Sequence, residues 1–353
     1  MANWLESMQQ SYEYYIVDPG TWKDKTPLKN VKSSSITRDE SVQTLGSATI
    51  DTTEDIGECY VRIYLVTIQN GVTEKHPLGT FLAQTPTSSF DGKVKSTTID
   101  AYTPLIELKE NQPPIGYFTP KDKNIMETVY LLTKENLRAP VVKTEKDTKL
   151  YFDFVADTND TWISYNSDLL ANAKYKYALD EMGRVLFEPI QDTASLQPVC
   201  TFDDGNSSIL YPRVDFDHDI YGIPNVVEVI HSTGSGVQYA KAINDDPNSP
   251  TSTVNRGREI VHRITNPDLI GSDPTKREID EYAKRMLTEL STIECTVSFT
   301  HGYRPVRLGD CVRLNYVKAG LNGVKAKIIS QTIKCEPGCS VQAKAKFTKK
   351  LWG

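Results

Sequence analysis

Thr292-Ile293-Glu294-Cys295-Thr296-Val297-Ser298-Phe299-Thr300 alternates polar and apolar side chains at every step. A period of two places Ile293, Cys295, Val297 and Phe299 on one face of an extended strand. The pattern recurs downstream: Val312, Leu314 and Tyr316 alternate with Arg313 and Asn315, Val324, Ala326 and Ile328 with Lys325 and Lys327, and Val341, Ala343, Ala345 and Phe347 with Gln342, Lys344, Lys346 and Thr348. Four strands with one apolar face each predict a small antiparallel barrel or sandwich. The phase breaks at Ile328-Ile329, a candidate bulge.

Residues 33–110 read the same way. Tyr60 to Ile68 is rich in β-branched and aromatic residues, and Gln69-Asn70-Gly71 is a hairpin turn signal. A strand from Leu78 to Gln84, a turn at Phe90-Asp91-Gly92-Lys93 and a strand from Ser96 to Tyr102 follow, and Pro104, Pro113, Pro114 and Pro120 punctuate the exit. Residues 121–190 change character. Ile125, Val129 and Leu132 have helical spacing in a segment ending at Asn136, and Asp160 is a candidate cap for a second helix carrying Trp162, Tyr165, Leu169 and Ala173. That helix leads into a hairpin, Tyr175–Asp180 and Arg184–Glu188, turned by Gly183. From about 196 the chain returns to β, with Tyr221–Ser232 as the expected strand and Asn244–Pro250 as a polar connection. Asp273 and Pro274 open a predicted helix whose Ile279, Tyr282, Ala283, Met286, Leu287 and Leu290 share one face and must dock on a sheet. The fold class is mainly β with an α+β insertion, accommodating two related antiparallel β-barrel domains, a small middle module and a docked helix.

The chain has 353 residues, of which 39% are hydrophobic and 24% charged, and a net charge of −6. These values fit an ordinary folded protein and argue against a dedicated nucleic-acid binder, which would be basic. The charge is uneven. From Cys311 onward Arg313 and eight lysines face only Glu336, a net +8, which leaves −14 on residues 1–310. The lysines alternate with apolar residues, so they are expected on one exposed sheet face that solubilises an edge or meets an acidic neighbour. No stretch approaches the roughly 18 apolar residues of a membrane helix, and the N-terminus has no basic segment followed by a long apolar one, so neither membrane insertion nor a signal peptide is expected.

Motifs of catalysis do not stand out. There is no H-E-x-x-H, P-loop, G-x-G-x-x-G or G-x-S-x-G, and Gly234-Ser235-Gly236 lacks the outer glycines of a nucleophile elbow. Asp215, Asp217 and Asp219 resemble the start of a calcium loop, but Ile220 and Val226 stand where such a loop needs Gly and Glu. They read as a solvated or interface edge, with a metal site as the alternative. Cys335-Glu336-Pro337-Gly338-Cys339 carries a turn dipeptide between two thiols and has no second ligand pair. Free thiols, a disulfide and a metal site stay open in that order. No enzyme, cofactor or metal is expected.

Three stretches carry a resemblance. Leu78-Gly79-Thr80-Phe81-Leu82 leads to Ile99-Asp100-Ala101-Tyr102-Thr103-Pro104, a D-A-Y-type segment. Tyr177–Pro189 contains Asp180-Glu181-Met182-Gly183, a D-x-x-G hairpin. Tyr303-Arg304-Pro305-Val306-Arg307-Leu308-Gly309-Asp310-Cys311-Val312 is a P-x-x-L-G-D-x-V turn. In this order and spacing they resemble the tail hub (baseplate hub) proteins of tailed bacteriophages. In the last motif Pro305 ends a segment, Leu308 is expected to plug a barrel end, Gly309 permits a positive φ, and Asp310 caps the turn. Arg62, Gly79, Asp100, Tyr102, Gly183, Pro305, Leu308, Gly309 and Asp310 are therefore expected as fold-motif or ring-interface positions.

The resemblance implies an N-terminal extension over 1–30, a first tube-like hub barrel over 31–115, an α+β middle module over 116–195, and a second barrel over 196–353 with a helical insertion near 273–291. It implies a homotrimer whose six barrels form a pseudo-sixfold ring in the virion tail, assembled in the host cytoplasm. The implied partners are the tail tube or distal tail protein, a central spike or fibre, the tape-measure protein, and DNA only in transit. A net negative wall suits passing DNA. The chain ends shortly after the second barrel, so a cell-wall hydrolase or receptor-binding region is expected on another chain. The alternatives are a hexameric distal-tail adaptor and a tail-associated cell-wall hydrolase.

Overall fold

The computed structural model describes residues 2–206, 208–233, 236–267 and 274–352. Asp273 and the Gly234-Ser235 pair lie outside them. The chain divides into two compact units, Met1–Val214 with Ser298–Ala345, and Asp215–Val297 with Lys346–Gly353.

The first unit opens with seven strands, β1 (Gln9–Asp18), β2 (Lys23–Leu28), β3 (Val31–Asp39), β4 (Gly46–Thr52), β5 (Cys59–Gln69), β6 (Val72–Phe90) and β7 (Lys95–Tyr102). They pair in the order β2-β1-β5-β6-β7-β4-β3, each pair antiparallel. The expected turn at Asn70-Gly71 joins β5 to β6, with φ of 51° and 77°, the two positive values of a tight hairpin turn. β5 is buried on both faces from Tyr60 to Thr67. Val61, Ile63 and Leu65 join a core with Ile36, Ile50 and Ile99, while Tyr60 belongs to a second core built on the helices that follow. A strand covered twice needs a near-continuous apolar run, which β5 has from Tyr60 to Val66 with Arg62 as its one charged interruption.

Then come α1 (Ile106–Glu110), β8 (Phe118–Thr119), α2 (Ile125–Asn136), β9 (Phe154–Val155), α3 (Trp162–Asn172), β10 (Tyr175–Leu179) and β11 (Val185–Pro189). α2 spans the predicted segment and buries Ile125, Val129 and Leu132. α3 is capped by Thr161, not Asp160: Thr161 and Ser164 exchange side-chain and backbone bonds in a capping box. Asp160 accepts a hydrogen bond from Ser164 Oγ instead. β10 and β11 form the predicted hairpin.

The first stretch of this unit ends with β12 (Cys200–Asp203) and the start of β13 (Leu210–His218). In the second unit lie β14 (Val226–Thr233), β15 (Gly236–Ile243), α4 (Thr253–Arg256), β16 (Val261–Thr265) and α5 (Lys276–Leu290). β14 starts later than expected, because Gly222 takes φ 70° and Pro224 has no N–H to give to a ladder. α5 docks as predicted: Ile279, Tyr282, Ala283 and Leu287 pack on Val227, Val229, Ala240 and Ala242 of β14 and β15. Its cap is Thr275, again in a capping box, with Glu278.

The chain closes with β17 (Thr292–Gly302), β18 (Cys311–Tyr316), β19 (Leu321–Lys334) and β20 (Ser340–Lys350), the four alternating strands. Their order is β18-β19-β20-β17-β13, with β12 on β18. β12–β18 and β14–β16 are parallel, exceptions to the antiparallel expectation that long connections permit. The Ile328-Ile329 phase break marks a change of partner. β19 pairs β18 through Lys327 and β3 from Ser330 onward, with Thr332 opposite Thr37. The N-terminal and C-terminal strand sets are thus joined edge to edge.

Candidate functional site

The residues singled out by motif converge where the β10–β11 hairpin meets both strand sets of the first unit. At its tip the Asp180 carboxylate accepts hydrogen bonds from the backbone N–H of Met182 and Arg184, at 3.0 and 2.8 Å, and from Arg184 Nε. Gly183 follows with φ 75°. A Cβ there would stand 2.7 Å from Thr80 Cβ and 3.3 Å from the Trp22 ring, so glycine serves both the turn and the close approach.

This turn presents the Met182 carbonyl to the N-terminal sheet. It accepts from Trp22 Nε1 at 2.8 Å, Thr80 Oγ1 at 3.0 Å and Arg62 Nη2 at 3.2 Å. Arg62, 1% exposed, also donates Nε to Thr80 Oγ1 at 2.9 Å and Nη1 to Asp24 at 2.6 Å, and Tyr64 OH donates to the other Asp24 oxygen at 2.7 Å. A buried guanidinium is tolerated only when its donors are met this fully.

The L-G-D turn grips the hairpin from the other side. Arg307 holds Glu181 in a two-point ion pair, Nε to Oε1 at 2.6 Å and Nη2 to Oε2 at 2.5 Å. Asp310 accepts from Arg307 N at 2.8 Å, the turn cap expected of it, and Gly309 takes φ 86°. Its N–H and the Asp310 carbonyl bond to Ile328. Arg38 donates to the carbonyls of Leu78 and Val306 and to Gln331. Glu40 accepts from Lys176 at 2.7 Å and Lys327 at 2.8 Å. Burial pushes its carboxyl up, but the two ammoniums outweigh that and hold it below its usual value. Glu188 and Asp310 are raised by burial. Leu308, Gly79, Leu78, Phe81 and Tyr177 line a cavity of about 60 Å³ at this junction.

Arg62, Gly79, Gly183, Leu308, Gly309 and Asp310 therefore come together. Asp100 and Tyr102 do not. Asp100 is exposed on β7 and takes a weak bond from Thr49, while Tyr102 packs against the core of the helices. Pro305 is exposed ahead of the turn. Trp22, Asp24, Arg38, Glu40, Glu181 and Arg307 were missed. The available signal was Arg38-Asp39-Glu40, three charges closing a strand that faces a core.

Cys335 and Cys339 are free and buried, with thiols pushed up by burial to about 12 and about 11. Asp215 and Asp217 lie exposed on β13, and among the described residues no three His, Cys, Asp or Glu side chains are grouped to hold a metal ion. Lys325 and Lys327, expected on an exposed face, are half-buried. Lys325 donates to the carbonyls of Ala194 and Leu196, and Lys327 pairs with Glu40.

No protein-family model matches the chain, and no curated protein matches it in sequence. Solved structures do. A tail protein from Neisseria meningitidis MC58 superposes with a TM-score of 0.60 at 12% identity, covering 95% of this chain and 96% of that one. The 43 kDa tail protein of prophage MuSo2 from Shewanella oneidensis gives 0.59 at 11% identity, covering 97% and 99%. The E. coli c3393 protein, described as a type VI secretion component with structural similarity to T4 tail proteins gp27 and gp5, gives 0.50 at 8% identity, covering 92% and 76%. Over nearly its whole length, then, the chain has the fold of prophage tail proteins.

Proposed function

We propose that the chain is the structural hub of a phage tail tip or baseplate, a homotrimeric pseudo-sixfold ring that joins the sixfold tail tube to a threefold central spike or fibre around the DNA channel. The observation that carries this reading is the edge-to-edge union of two strand sets in one polypeptide through the antiparallel β3–β19 pair, in a fold shared with tail proteins. Two β units per chain let three chains offer six similar surfaces to a sixfold tube. The described likeness of the E. coli neighbour to gp27 and gp5 supports the same role.

The junction around Arg62, Gly183 and Leu308–Asp310 is a clamp rather than a reaction centre. Its arginines are spent on carboxylates and carbonyls of the same chain, which fixes the middle module against both strand sets. On this reading the protein is non-enzymatic, and its partners are the tail tube or distal tail protein, the spike or fibre and the tape-measure protein, with DNA only passing through. The −14 of residues 1–310 suits a wall along which DNA slides. Mass measurement of the assembled ring tests the proposal. Three copies are expected; six would make it a distal-tail adaptor, and release of cell-wall fragments by the purified chain would make it a hydrolase.

A further inference from the structure

The hairpin and the L-G-D turn also meet at a second cavity, of about 200 Å³, which shares Lys176 and Glu188 with the first and adds Gly309, Asp310 and Lys327 to its wall. Lys176 and Glu188 stand directly opposite each other on β10 and β11, a register that favours an ion pair. They do not form one. The Lys176 ammonium reaches Glu40 at 2.7 Å and Lys327 reaches the same Glu40 oxygen at 2.8 Å. Glu188 takes no hydrogen bond and no ion pair among the described residues. The turn closes over these side chains: a Cβ on Gly309 would lie 3.5 Å from Lys176 Nζ and 3.6 Å from Glu188 Oε2. The next residue, Asp310, has one oxygen met by the Arg307 N–H, but the Arg307 guanidinium is held by Glu181. Two half-buried carboxyls, one on the hairpin and one on the turn, thus border one cavity without a cation of their own.

The other charges of the seam have their own partners. Lys176, Lys327, Arg307 and Asp310 act on Glu188, with Glu40 beyond the two lysines, and Arg307, Glu181 and Arg38 act on Asp310. Arg38 is spent on two carbonyls and Gln331. The neighbouring thiols of Cys200 and Cys311 are pushed up by burial and stay uncharged. Burial holds both carboxyls above their ordinary values against the pull of the cations, and Asp310 adds to the effect at Glu188.

We propose that this seam is a proton-sensitive joint: when Glu188 or Asp310 takes up a proton, the middle hairpin is held more tightly against the L-G-D turn. An ionised carboxylate here carries a burial cost that no partner offsets, and a second one across the cavity adds repulsion. Protonation removes both. An acid raised in the folded chain stabilises the fold fully below its ordinary value, 4.5 for Glu188 and 3.8 for Asp310, and that contribution is lost as pH rises through the raised value. Glu40 opposes the effect only in stronger acid, because its two ammoniums keep it ionised. The joint lies within one chain, so it is independent of how copies assemble.

Amide exchange of the full chain tests it, read as protection factors for β10 and β11 from about pH 4.5 to about pH 8. The wild type is compared with Glu188→Gln, Asp310→Asn and the double variant. Each substitution keeps the shape of the side chain and removes its charge, and Asp310→Asn retains an oxygen for the Arg307 N–H. His301 titrates alike in all four and cancels. At the upper pH Glu188→Gln is expected to raise hairpin protection about threefold or more. That gain should vanish at the lower pH, where the wild type has taken up its proton. The double variant should gain less than the product of the single gains, since each carboxyl burdens the other. Carbon-13 titration of the native chain should place the two side-chain carboxyls above 4.5 and 3.8. Midpoints at or below those values overturn the joint, as does a Glu188→Gln variant no better protected than the wild type at the upper pH. A gain of equal size at every pH reports packing of the amide and overturns it too.

Discussion

Arg62 lies on β5 among the most deeply buried side chains, alternating with the apolar Val61, Ile63 and Leu65, and its charge is balanced by Asp24 at 2.6 Å. Asp24 is 30% exposed, which tempers but does not cancel the cost of leaving it unpaired. Arg62→Met is therefore expected to lower unfolding stability by about 3 kcal/mol in urea titration, and a loss under about 1 kcal/mol would show that the clamp contributes little. His301 supplies a second residue-scale case. It is fully buried, its Nε2 has no partner, and its ring lies 4.4 Å from Phe202. Burial pushes its pKa down from 6.5 to about 4. Between those pH values the unfolded chain binds the proton that the folded chain resists, so the histidine's contribution is intact above pH 6.5 and is lost as pH falls toward 4. Against His301→Phe, the wild type should lose about 3 kcal/mol more across that interval; parallel pH curves would contradict this. The special-φ glycines 183 and 309 were legible because turn chemistry is local. Arg62's pairing with Asp24 was not, because its partners come from β2, β6 and the middle hairpin.

Elements were legible where one period ruled. The four C-terminal strands, the Asn70-Gly71 hairpin, α2 and the docking face of α5 all follow from apolar spacing. Starts were less so: Asp160 and Asp273 were the expected caps, yet Thr161 and Thr275 close capping boxes with Ser164 and Glu278, and a reciprocal pair of bonds outweighs a single favourable residue. Thr275→Ala should cost about 1 kcal/mol and speed amide exchange in the first turn of α5; unchanged exchange would deny the cap its role. The β10–β11 turn gives a sharper test. Gly183→Ala forces a side chain into a left-handed conformation 2.7 Å from Thr80, so a loss of about 2 kcal/mol in thermal or urea unfolding is expected. A variant as stable as the wild type would mean the hairpin tip is not tightly held. The parallel β12–β18 pair had no local signal, since its partners lie more than a hundred residues apart and their alternation fits either direction.

At the scale of the whole chain, composition pointed to an ordinary folded protein and charge to an asymmetric one, while order and spacing of three motifs pointed to a tail hub. The fold agrees with that of two tail proteins at identities of 12% and 11%, where no single stretch could carry the likeness. The edge-to-edge union through β3 and β19 was the part hidden from the sequence, since alternation fixes which face of a strand is buried but not which neighbour it pairs. It is also the part on which the proposed ring depends, because it joins the two strand sets in one piece. The most direct measurement of the proposed role is a cryo-EM map of the tail end of a phage particle assembled with this protein. The account predicts three copies, each contributing two β units to a sixfold-like ring against the tube. Six copies contributing one unit each, or a single copy off the axis, would contradict it.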